Sequence, residues 1–206
     1  MTVALSVRQV AKRAQIAKAA RKLFLELGYA GTSMDAVSGQ AGVSKQTLYT
    51  YFPTKVDLLK EILTHELSGI PASAGAVPPL GSVADLRAVL LQFAHRLTDS
   101  LLHPDSLAMI RLVLGEAFRI PEVRETVRDA GPLRALHAIS AIVVHADELG
   151  PITAPDPDLA ARMVLGPIMT YVALDGFLQN EAVTPPTAAK LERIVDYFLI
   201  MVAVTL

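Results

Sequence analysis

The segment from Gly31 to Lys55 constrains the fold more than any other part of this chain. It reads Gly-Thr-Ser-Met-Asp-Ala-Val-Ser-Gly-Gln-Ala-Gly-Val-Ser-Lys-Gln-Thr-Leu-Tyr-Thr-Tyr-Phe-Pro-Thr-Lys. Capping residues precede two short runs with helical spacing, and Gly42 separates the runs, which predicts two short helices joined by a tight turn. Ser44 is expected to cap the second helix. Pro53 ends it, because the residue before a proline avoids the α region. This is the layout of a helix-turn-helix unit.

Capping signals also mark where the neighbouring helices begin. Ser6 and Gln9 have the spacing of a capping box, in which each side chain bonds the other's backbone amide. Thr32 is expected to cap the second helix and Thr54 the fourth, each with an aspartate three residues later. Gly28 is expected to end the first helix, since glycine adopts the conformation of a helix stop without strain. Residues 1–53 are therefore predicted to form a three-helix domain, followed by a connecting helix over residues 54–67.

The rest of the chain is also predicted to be helical, because apolar residues recur at helical spacing and no window alternates as a half-buried strand does. Residues 68–81 are rich in Pro, Gly, Ser and Ala and are expected to form a poorly ordered loop. Helices are expected over residues 83–102, 106–119, 122–149, 157–180 and 185–204. The predicted fold class is all-α, with a second helical domain over residues 82–206.

Prolines in this second domain have two kinds of position. Asp156-Pro157 and Thr184-Pro185 place a capping residue before a proline at the first helical position, where a missing amide costs nothing. Gly131-Pro132 and Gly166-Pro167 fall inside predicted helices. Each of these is expected to kink or split its helix, because proline lacks the amide donor.

Bulk composition narrows the class of protein. Hydrophobic residues make up 52% of the 206 residues, yet no run reaches the roughly 18 uncharged apolar residues that a membrane span needs. The apolar segment at residues 1–5 is too short to be the apolar region of a signal peptide. We therefore expect a soluble cytoplasmic protein. Cysteine is absent, which excludes disulfides, thiolate chemistry and Cys-ligated metals. We expect no metal and no cofactor.

Charge is distributed unevenly along the chain. Residues 1–65 hold nine Lys and Arg against four Asp and Glu, whereas the remainder holds ten against sixteen. A basic N-terminal unit on an acidic body indicates a polyanionic partner for the first part only, although chance clustering of solvated charges is the alternative. The basic residues of the first helix either touch a DNA backbone or are simply solvated; they are Arg8, Lys12, Arg13, Lys18, Arg21 and Lys22.

The third helix needs one face for the core and one for a partner. Val43, Leu48 and Phe52 are expected to point inward. The outward residues suit the major groove of DNA, where Gln reads adenine edges, Lys reaches guanine or phosphate, and the Thr methyl meets the thymine methyl. Hydroxyl groups and helix-terminal amides suit phosphate oxygens. The candidate DNA-binding residues are Thr32, Ser33, Ser44, Lys45, Gln46, Thr47, Tyr49, Tyr51 and Lys55.

These residues also have ordinary structural explanations. Tyr49 or Tyr51 can be half-buried core, Gln46 and Thr47 can be surface residues, and Lys55 can be a solvated charge. Their combination on one face of one short helix favours the DNA-binding interpretation.

Residues 28–63, from Gly-Tyr-Ala-Gly-Thr-Ser-Met-Asp to Tyr-Phe-Pro-Thr-Lys-Val-Asp-Leu-Leu, resemble the TetR/AcrR family of bacterial transcriptional regulators. The chain departs from the family pattern at Ser38-Gly39-Gln40 and at Tyr51, where the family often has His. The resemblance implies an all-α homodimer that binds an inverted-repeat operator, carries a ligand-binding C-terminal domain and most often represses transcription. Residues 111–123 are similar to a subgroup called AefR-like.

The last two predicted helices are among the most apolar of the chain. Their apolar residues exceed what one monomer face covers, so two helices from each subunit are expected to pack as a homodimer interface. Completion of a monomer core is the alternative. The residues concerned are Leu159, Met163, Ile168, Val172 and Phe177 in one helix, and Leu191, Ile194, Val195, Phe198, Leu199 and Val202 in the other.

An effector pocket is expected among the central helices of the second domain. Adaptable and aromatic side chains suit a hydrophobic or amphipathic small molecule. A ligand that fits better when the connecting helix swings would change the spacing of the two DNA-reading helices of a dimer, whose half-sites lie about one helical turn apart. Candidate ligand contacts are Phe93, Met109, Leu112, Phe118, His137, Met169 and Tyr171. Further polar candidates, His95, Arg111, Glu116 and Asp175, can equally be satisfied core or surface groups.

Two other classes of protein, an enzyme and a protein-binding adaptor, are the alternatives to a DNA-binding protein. An enzyme is disfavoured, because none of the His-Glu-x-x-His, Glu-x-x-His, Gly-x-Ser-x-Gly or glycine-rich phosphate motifs is present. An adaptor that binds protein through its apolar helices remains possible from sequence. The salt dependence of DNA binding separates these classes.

Overall fold

The computed structural model describes residues 6–70, 80–179 and 183–202, and every regular element within these ranges is helical. The all-α prediction is confirmed. The α-helices are α1 (Val7–Gly31), α2 (Met34–Ala41), α3 (Lys45–Tyr51), α4 (Lys55–Glu66), α5 (Val83–Leu102), α6 (Pro104–Ala117), α7 (Pro121–Arg128), α8 (Arg134–Leu149), α9 (Pro157–Tyr171) and α10 (Ala188–Val202). None of these helices is both long and apolar enough to cross a membrane.

The chain forms two compact units. The first runs up to Glu66 and includes Ala108–Val127, and the second holds Leu67–Leu107 and the chain from Arg128 onward. The core of the first unit is built by large apolar side chains with little or no exposure, among them Ile16, Phe24, Val37, Leu48, Phe52, Leu58 and Leu59. These side chains come from α1 to α4 and from the turn after α3, so they join the four helices into one body.

The first unit begins as its capping signals predict. The Ser6 amide donates to Gln9 Oε1 at 2.7 Å and the Gln9 amide donates to Ser6 Oγ at 3.3 Å, which is the reciprocal capping box. Thr54 and Asp57 make the same arrangement at the start of α4, with backbone–side-chain distances of 3.0 and 3.1 Å. Gly28 leaves helical geometry with φ of 74°, but the chain re-enters the helix and continues to Gly31.

The helix limits in the second unit were predicted with mixed success. The α5 range agrees with the sequence prediction at both ends. The single helix expected over residues 122–149 is instead α7, a π-helical segment Asp129–Leu133, and α8. Gly131-Pro132 lies in that π-helical segment, where a widened turn accommodates the missing amide. Pro167, by contrast, lies inside the continuous helix α9, so of the kink or split expected there, a split does not occur.

The cap predictions for the last two helices had opposite outcomes. Asp156 caps α9 by accepting from the Leu159 amide at 3.0 Å, with Pro157 in the first turn, as predicted. The Thr184-Pro185 cap was wrong: α10 begins at Ala188 and Thr187 accepts from the Lys190 amide at 3.4 Å. The α9 pattern continues into a π-helical segment, Val172–Phe177. The helix expected to reach residue 180 ends earlier, at Phe177. The expected end at residue 204 and residues 71–79 of the expected loop lie outside the described residues.

The second unit packs α5, α8, α9 and α10 around its own apolar core. The Arg87 guanidinium of α5 donates two hydrogen bonds, of 2.6 and 3.1 Å, to the Asp196 carboxylate of α10. This contact lowers the pKa of Asp196 below its ordinary value, because the guanidinium stabilises the carboxylate. The Lys190 ammonium lies 4.8 Å from the centroid of the Tyr171 ring, which adds a second polar tie between α9 and α10.

Candidate nucleic-acid interface

The third helix, α3, is anchored on one side by apolar residues. Leu48 and Phe52 are buried and Val43 is half-buried, as the sequence pattern predicted. Ser44 caps the helix, with its Oγ accepting from the Thr47 amide at 3.1 Å and lying 2.8 Å from Thr47 Oγ1. The short helix is therefore fixed at both ends, by this cap and by the buried Phe52 ring.

The opposite side of α3 faces solvent. Gln46 is exposed, Tyr49 is 47% exposed, and Thr47 and Tyr51 are half-buried at the margins of the same face. This side of α3 therefore presents the Gln46 amide, the Thr47 hydroxyl and methyl groups, and the phenols of Tyr49 and Tyr51, while its other side lies in the core. Such a surface presents the groups that read base edges and bind phosphate oxygens in a major groove.

Lys45 is held at the start of α3 by Asp35 of α2. Their side-chain atoms lie 2.6 Å apart, and both side chains are 62% exposed. The hydrogen bond and the negative charge of Asp35 raise the pKa of Lys45 above its ordinary value. An exposed pair adds little stability, so its main effect is to orient the ammonium beside the solvent-facing side of α3.

The residue that caps α2 is Ser33 and not Thr32, which corrects the sequence prediction. Ser33 Oγ accepts from the Ala36 amide at 3.1 Å. Thr32 is 2% exposed, and its hydroxyl lies 3.1 Å from the Leu23 carbonyl and 2.9 Å from the Gly28 carbonyl. The Thr32 side chain therefore serves the end of α1 and is not placed to bind a phosphate, whereas the exposed Ser33 remains a candidate.

Lys55 also has a structural partner that the sequence did not reveal. Its ammonium donates to the carbonyls of Tyr29 at 2.7 Å and Thr32 at 2.9 Å, and lies 4.4 Å from the Tyr29 ring centroid. Burial, followed by the charges of Glu116 and Glu122, raises the pKa of the Tyr29 phenol above its ordinary value. The Lys55 ammonium, which was predicted to be free to bind a phosphate, instead donates hydrogen bonds to carbonyls at the end of α1.

We expect Lys55→Met to destabilise the protein by about 1–3 kcal/mol, because two carbonyls lose their charged donor while the apolar stem is retained. Lys60→Met, on the same helix, is the matched control and should change stability by less than about 0.5 kcal/mol. Urea unfolding of the two variants measures the difference. An unchanged midpoint for Lys55→Met, with a lower salt dependence of DNA binding, would show that this lysine serves phosphate instead.

The predicted ligand contacts are not all placed to meet a ligand. Phe118 is 86% exposed, because it follows the last residue of α6 in a turn where the Arg119 and Ile120 amides both donate to the Glu116 carbonyl. His137 is exposed on the outer side of α8. Neither lines an interior pocket. The others are enclosed to different degrees: Phe93 and Met109 are buried, and Leu112, Met169 and Tyr171 are half-buried.

An apolar surface on the last two helices was only partly predicted. The buried residues Ile168, Val172, Leu191, Val195, Phe198 and Leu199 complete the core of the second unit, while Leu159 and Met163 are exposed. Tyr197, Ile200 and Met201 are 65%, 75% and 58% exposed, and none of the three was predicted to belong to this surface. Their spacing of three and four residues was the available signal. These five exposed residues are called the α9–α10 apolar face below.

The described residues contain no group of three or more His, Asp or Glu side chains arranged to hold a metal ion.

The helices α2 and α3 of the first unit form a helix-turn-helix whose inner side is buried and whose outer side is polar. This is the architecture of a DNA-binding protein.

Comparison with known protein families agrees with this architecture. Residues 16–62 match the model of bacterial regulatory proteins of the tetR family, and residues 88–203 match the model of the C-terminal domain of AefR-like transcriptional repressors. The second match covers more than half of the chain. The protein belongs to the TetR family of transcriptional regulators, which are not enzymes.

Individual relatives support the same assignment. The chain is 47% identical over 49 residues to Bacillus subtilis YhgD, a match that covers 24% of this chain and only 26% of YhgD. It is 28% identical over 185 residues to Escherichia coli RutR, covering 86% of this chain and 80% of RutR. Both relatives are helix-turn-helix transcriptional regulators.

Two solved structures share the fold over nearly the whole chain. A TetR-family regulator from Mesorhizobium loti superposes with a TM-score of 0.76 at 27% identity, covering 97% of this chain and all of that one. The flavonoid-responsive regulator FrrA superposes with a TM-score of 0.73 at 27% identity, covering 94% and 98%.

Proposed function

We propose that this protein is a homodimeric repressor that binds an inverted-repeat operator and leaves it when a hydrophobic or amphipathic small molecule binds. The observation that carries the proposal is α3, a short helix whose buried Leu48 and Phe52 fix it while Gln46 and Tyr49 face solvent. Repression is supported by the similarity of residues 88–203 to the AefR-like repressor domain. Because the partner is DNA, we place the protein in the cytoplasm.

We assign DNA binding to residues 1–53, with residues 54–67 as the connecting helix, and effector binding and dimerisation to residues 82–206. The proposed DNA contacts are those whose side chains are accessible, namely Ser33, Ser44, Lys45, Gln46, Thr47, Tyr49 and Tyr51. Thr32 and Lys55 are left out, because the end of α1 uses their polar groups.

Dimerisation is assigned to the α9–α10 apolar face. A monomer that left Tyr197, Ile200 and Met201 in water would expose a contiguous apolar patch, which soluble monomers avoid. A two-fold axis beside α10 would place the same side chains of two subunits against one another, as an isologous interface requires.

The effector assignment is supported by composition and by one relative. Phe93, Met169 and Tyr171 of the second unit are enclosed aromatic and thioether side chains, suited to a flat apolar ligand. FrrA is named as flavonoid-responsive, and flavonoids are ligands of that kind. We therefore propose an aromatic or otherwise apolar small molecule, contacted by these three residues.

Selection of duplexes from a random-sequence pool tests the function directly. The wild-type protein should enrich an inverted repeat, and Gln46→Ala should relax the preference at one position of each half-site by about 1–3 kcal/mol. Gln92→Ala, an exposed glutamine of α5, is the matched control and should enrich the wild-type sequence. Enrichment of no sequence by the wild-type protein would contradict the proposal.

A further inference from the structure

The basic residues of α1 differ in whether a carboxylate neutralises them. Arg13 binds Glu61 of α4 through hydrogen bonds of 3.3 and 2.6 Å, and Arg21 binds Glu66 at 2.6 Å. Lys22 lies 3.9 Å from Glu26 on its own helix. These pairs tie α1 to α4 or remain on the α1 surface, so their charges are compensated within the protein.

Arg8 and Lys12 are different. Within residues 6–70, 80–179 and 183–202, the structure shows no carboxylate paired with either side chain. The Lys12 ammonium donates to Gln15 Oε1 at 2.9 Å, and Gln15 in turn donates to the Ala41 carbonyl at 2.7 Å. A neutral amide therefore positions Lys12 without cancelling its charge.

These two side chains line a concavity of about 610 Å³ between the first turns of α1 and the start of α3. Ser44, Thr47 and Tyr51 form its other wall, and no Asp or Glu is among the lining residues. Two uncompensated cations and four hydroxyl-bearing residues, Ser6 included, thus line one open, polar hollow. Its wall at α3 includes Ser44 and Thr47, which are also candidate contacts of the DNA interface.

We propose that this hollow, the α1–α3 clamp, binds a backbone phosphodiester on the strand that borders the groove entered by α3. Arg8 and Lys12 supply the charge, and the hydroxyls of Ser44 and Tyr51 supply directional contacts to phosphate oxygens. This inference rests on the proposed function and adds two residues of α1 to it. Because the clamp contacts phosphate alone, it strengthens binding to every duplex and selects no sequence.

Paired double variants of α1 test the clamp. Arg8→Gln/Lys12→Gln removes two positive charges from the hollow. Lys18→Gln/Lys22→Gln removes two from the same helix, about two to four turns further along. Each α-helical residue rises about 1.5 Å, so Lys22 lies about 15 Å beyond Lys12 along α1. The two double variants have equal net charge, which makes the second a control for nonlocal electrostatics.

The affinity of each variant is measured at a series of salt concentrations for two duplexes. One is a duplex that the wild-type protein selects from the random-sequence pool, and the other is unrelated in sequence. Each lost phosphate contact lowers the slope of log affinity against log salt by about 0.9, so a dimer that loses four contacts should show a slope smaller by roughly 3–4. The clamp variant should show this change on both duplexes and enrich the wild-type sequence from a random pool. The control variant should keep the wild-type slope.

Equal slopes for the clamp variant and the wild type would overturn the clamp, and so would equal losses in both double variants. In either case a changed preference of Gln46→Ala would leave the DNA-reading function standing. If the wild-type protein binds neither duplex at low salt, the clamp and the proposed function fail together. Thermal unfolding of all variants confirms that each is folded, since these positions are exposed or half-buried.

Discussion

Phe52→Ala is expected to destabilise the first unit by about 3–5 kcal/mol and to abolish DNA binding. The Phe52 ring is 1% exposed and stands at the residue that ends α3. The Arg13 guanidinium lies 4.6 Å from its centroid while also binding Glu61 of α4 and the Tyr51 carbonyl. Removing the ring therefore leaves a cavity in the core, and the C-terminal end of α3 loses the side chain that anchors it. Urea unfolding and operator titration measure the two effects.

Tyr49→Ala is the matched control, because it removes an aromatic ring from the exposed side of the same helix. Its expected cost in stability is within about 0.5 kcal/mol, whereas its operator affinity should fall. The two variants should thus separate the anchoring role of α3 from its binding role. A Phe52→Ala protein with wild-type stability would contradict the packing described here.

Ile200→Glu is expected to convert the proposed dimer to a monomer and to weaken operator binding by about 100- to 10,000-fold. Ile200 is 75% exposed and belongs to the α9–α10 apolar face, so a carboxylate placed there would be buried in the interface without a charged partner. A monomer also loses the gain in affinity that comes from holding two half-sites at once. Sedimentation velocity reports the association state, and operator titration reports the affinity.

Ala88→Glu adds the same carboxylate at an exposed position of α5 and should leave both measurements unchanged. Dimeric Ile200→Glu would mean that another surface joins the subunits. A monomeric variant with wild-type operator affinity would mean that the protein reads a single half-site, and the inverted-repeat proposal would be withdrawn.

Local signals were enough to predict the frame of the DNA-binding unit. The Ser6–Gln9 box, the Ser44 cap and the α5 limits all depend on residues within one or two turns of one another. The division of α3 into inner and outer sides depends on helical spacing alone, and the buried Leu48 confirms it. Predictions of this kind succeed because the interactions concerned are local in sequence.

The corrections involve partners that sequence spacing does not identify. Thr32 and Ser33 are adjacent hydroxyl residues, and the chain path around Gly28 brings the Thr32 hydroxyl to the α1 carbonyls and leaves Ser33 to cap α2. Lys55 meets the Tyr29 carbonyl 26 residues away. Phe118 was predicted to contact a ligand, but α6 ends one residue before it and leaves its side chain exposed. Tertiary packing decided the outcome for Lys55, and the local path of the chain decided the other two.

The same limit applies to the functional surfaces. The six basic residues of α1 look alike in sequence. Carboxylates on α4 and on α1 itself, namely Glu61, Glu66 and Glu26, separate the three that are paired from the others. Tyr197, Ile200 and Met201 have helical spacing, but so do the buried Leu191, Val195 and Phe198 of α10. Which stripe faces the core depends on where α5 and α9 pack against α10.

The central claim is that the outer side of α3 enters a major groove, and methylation protection with dimethyl sulfate tests it most directly. This reagent attacks guanine N7 in the major groove and adenine N3 in the minor groove, so one experiment distinguishes the two. On a duplex selected by the wild-type protein, we predict protected guanine N7 atoms in two half-sites about one helical turn apart, with adenine N3 still reactive there. Protection of adenine N3 alone, or no protection in either groove, would contradict the account.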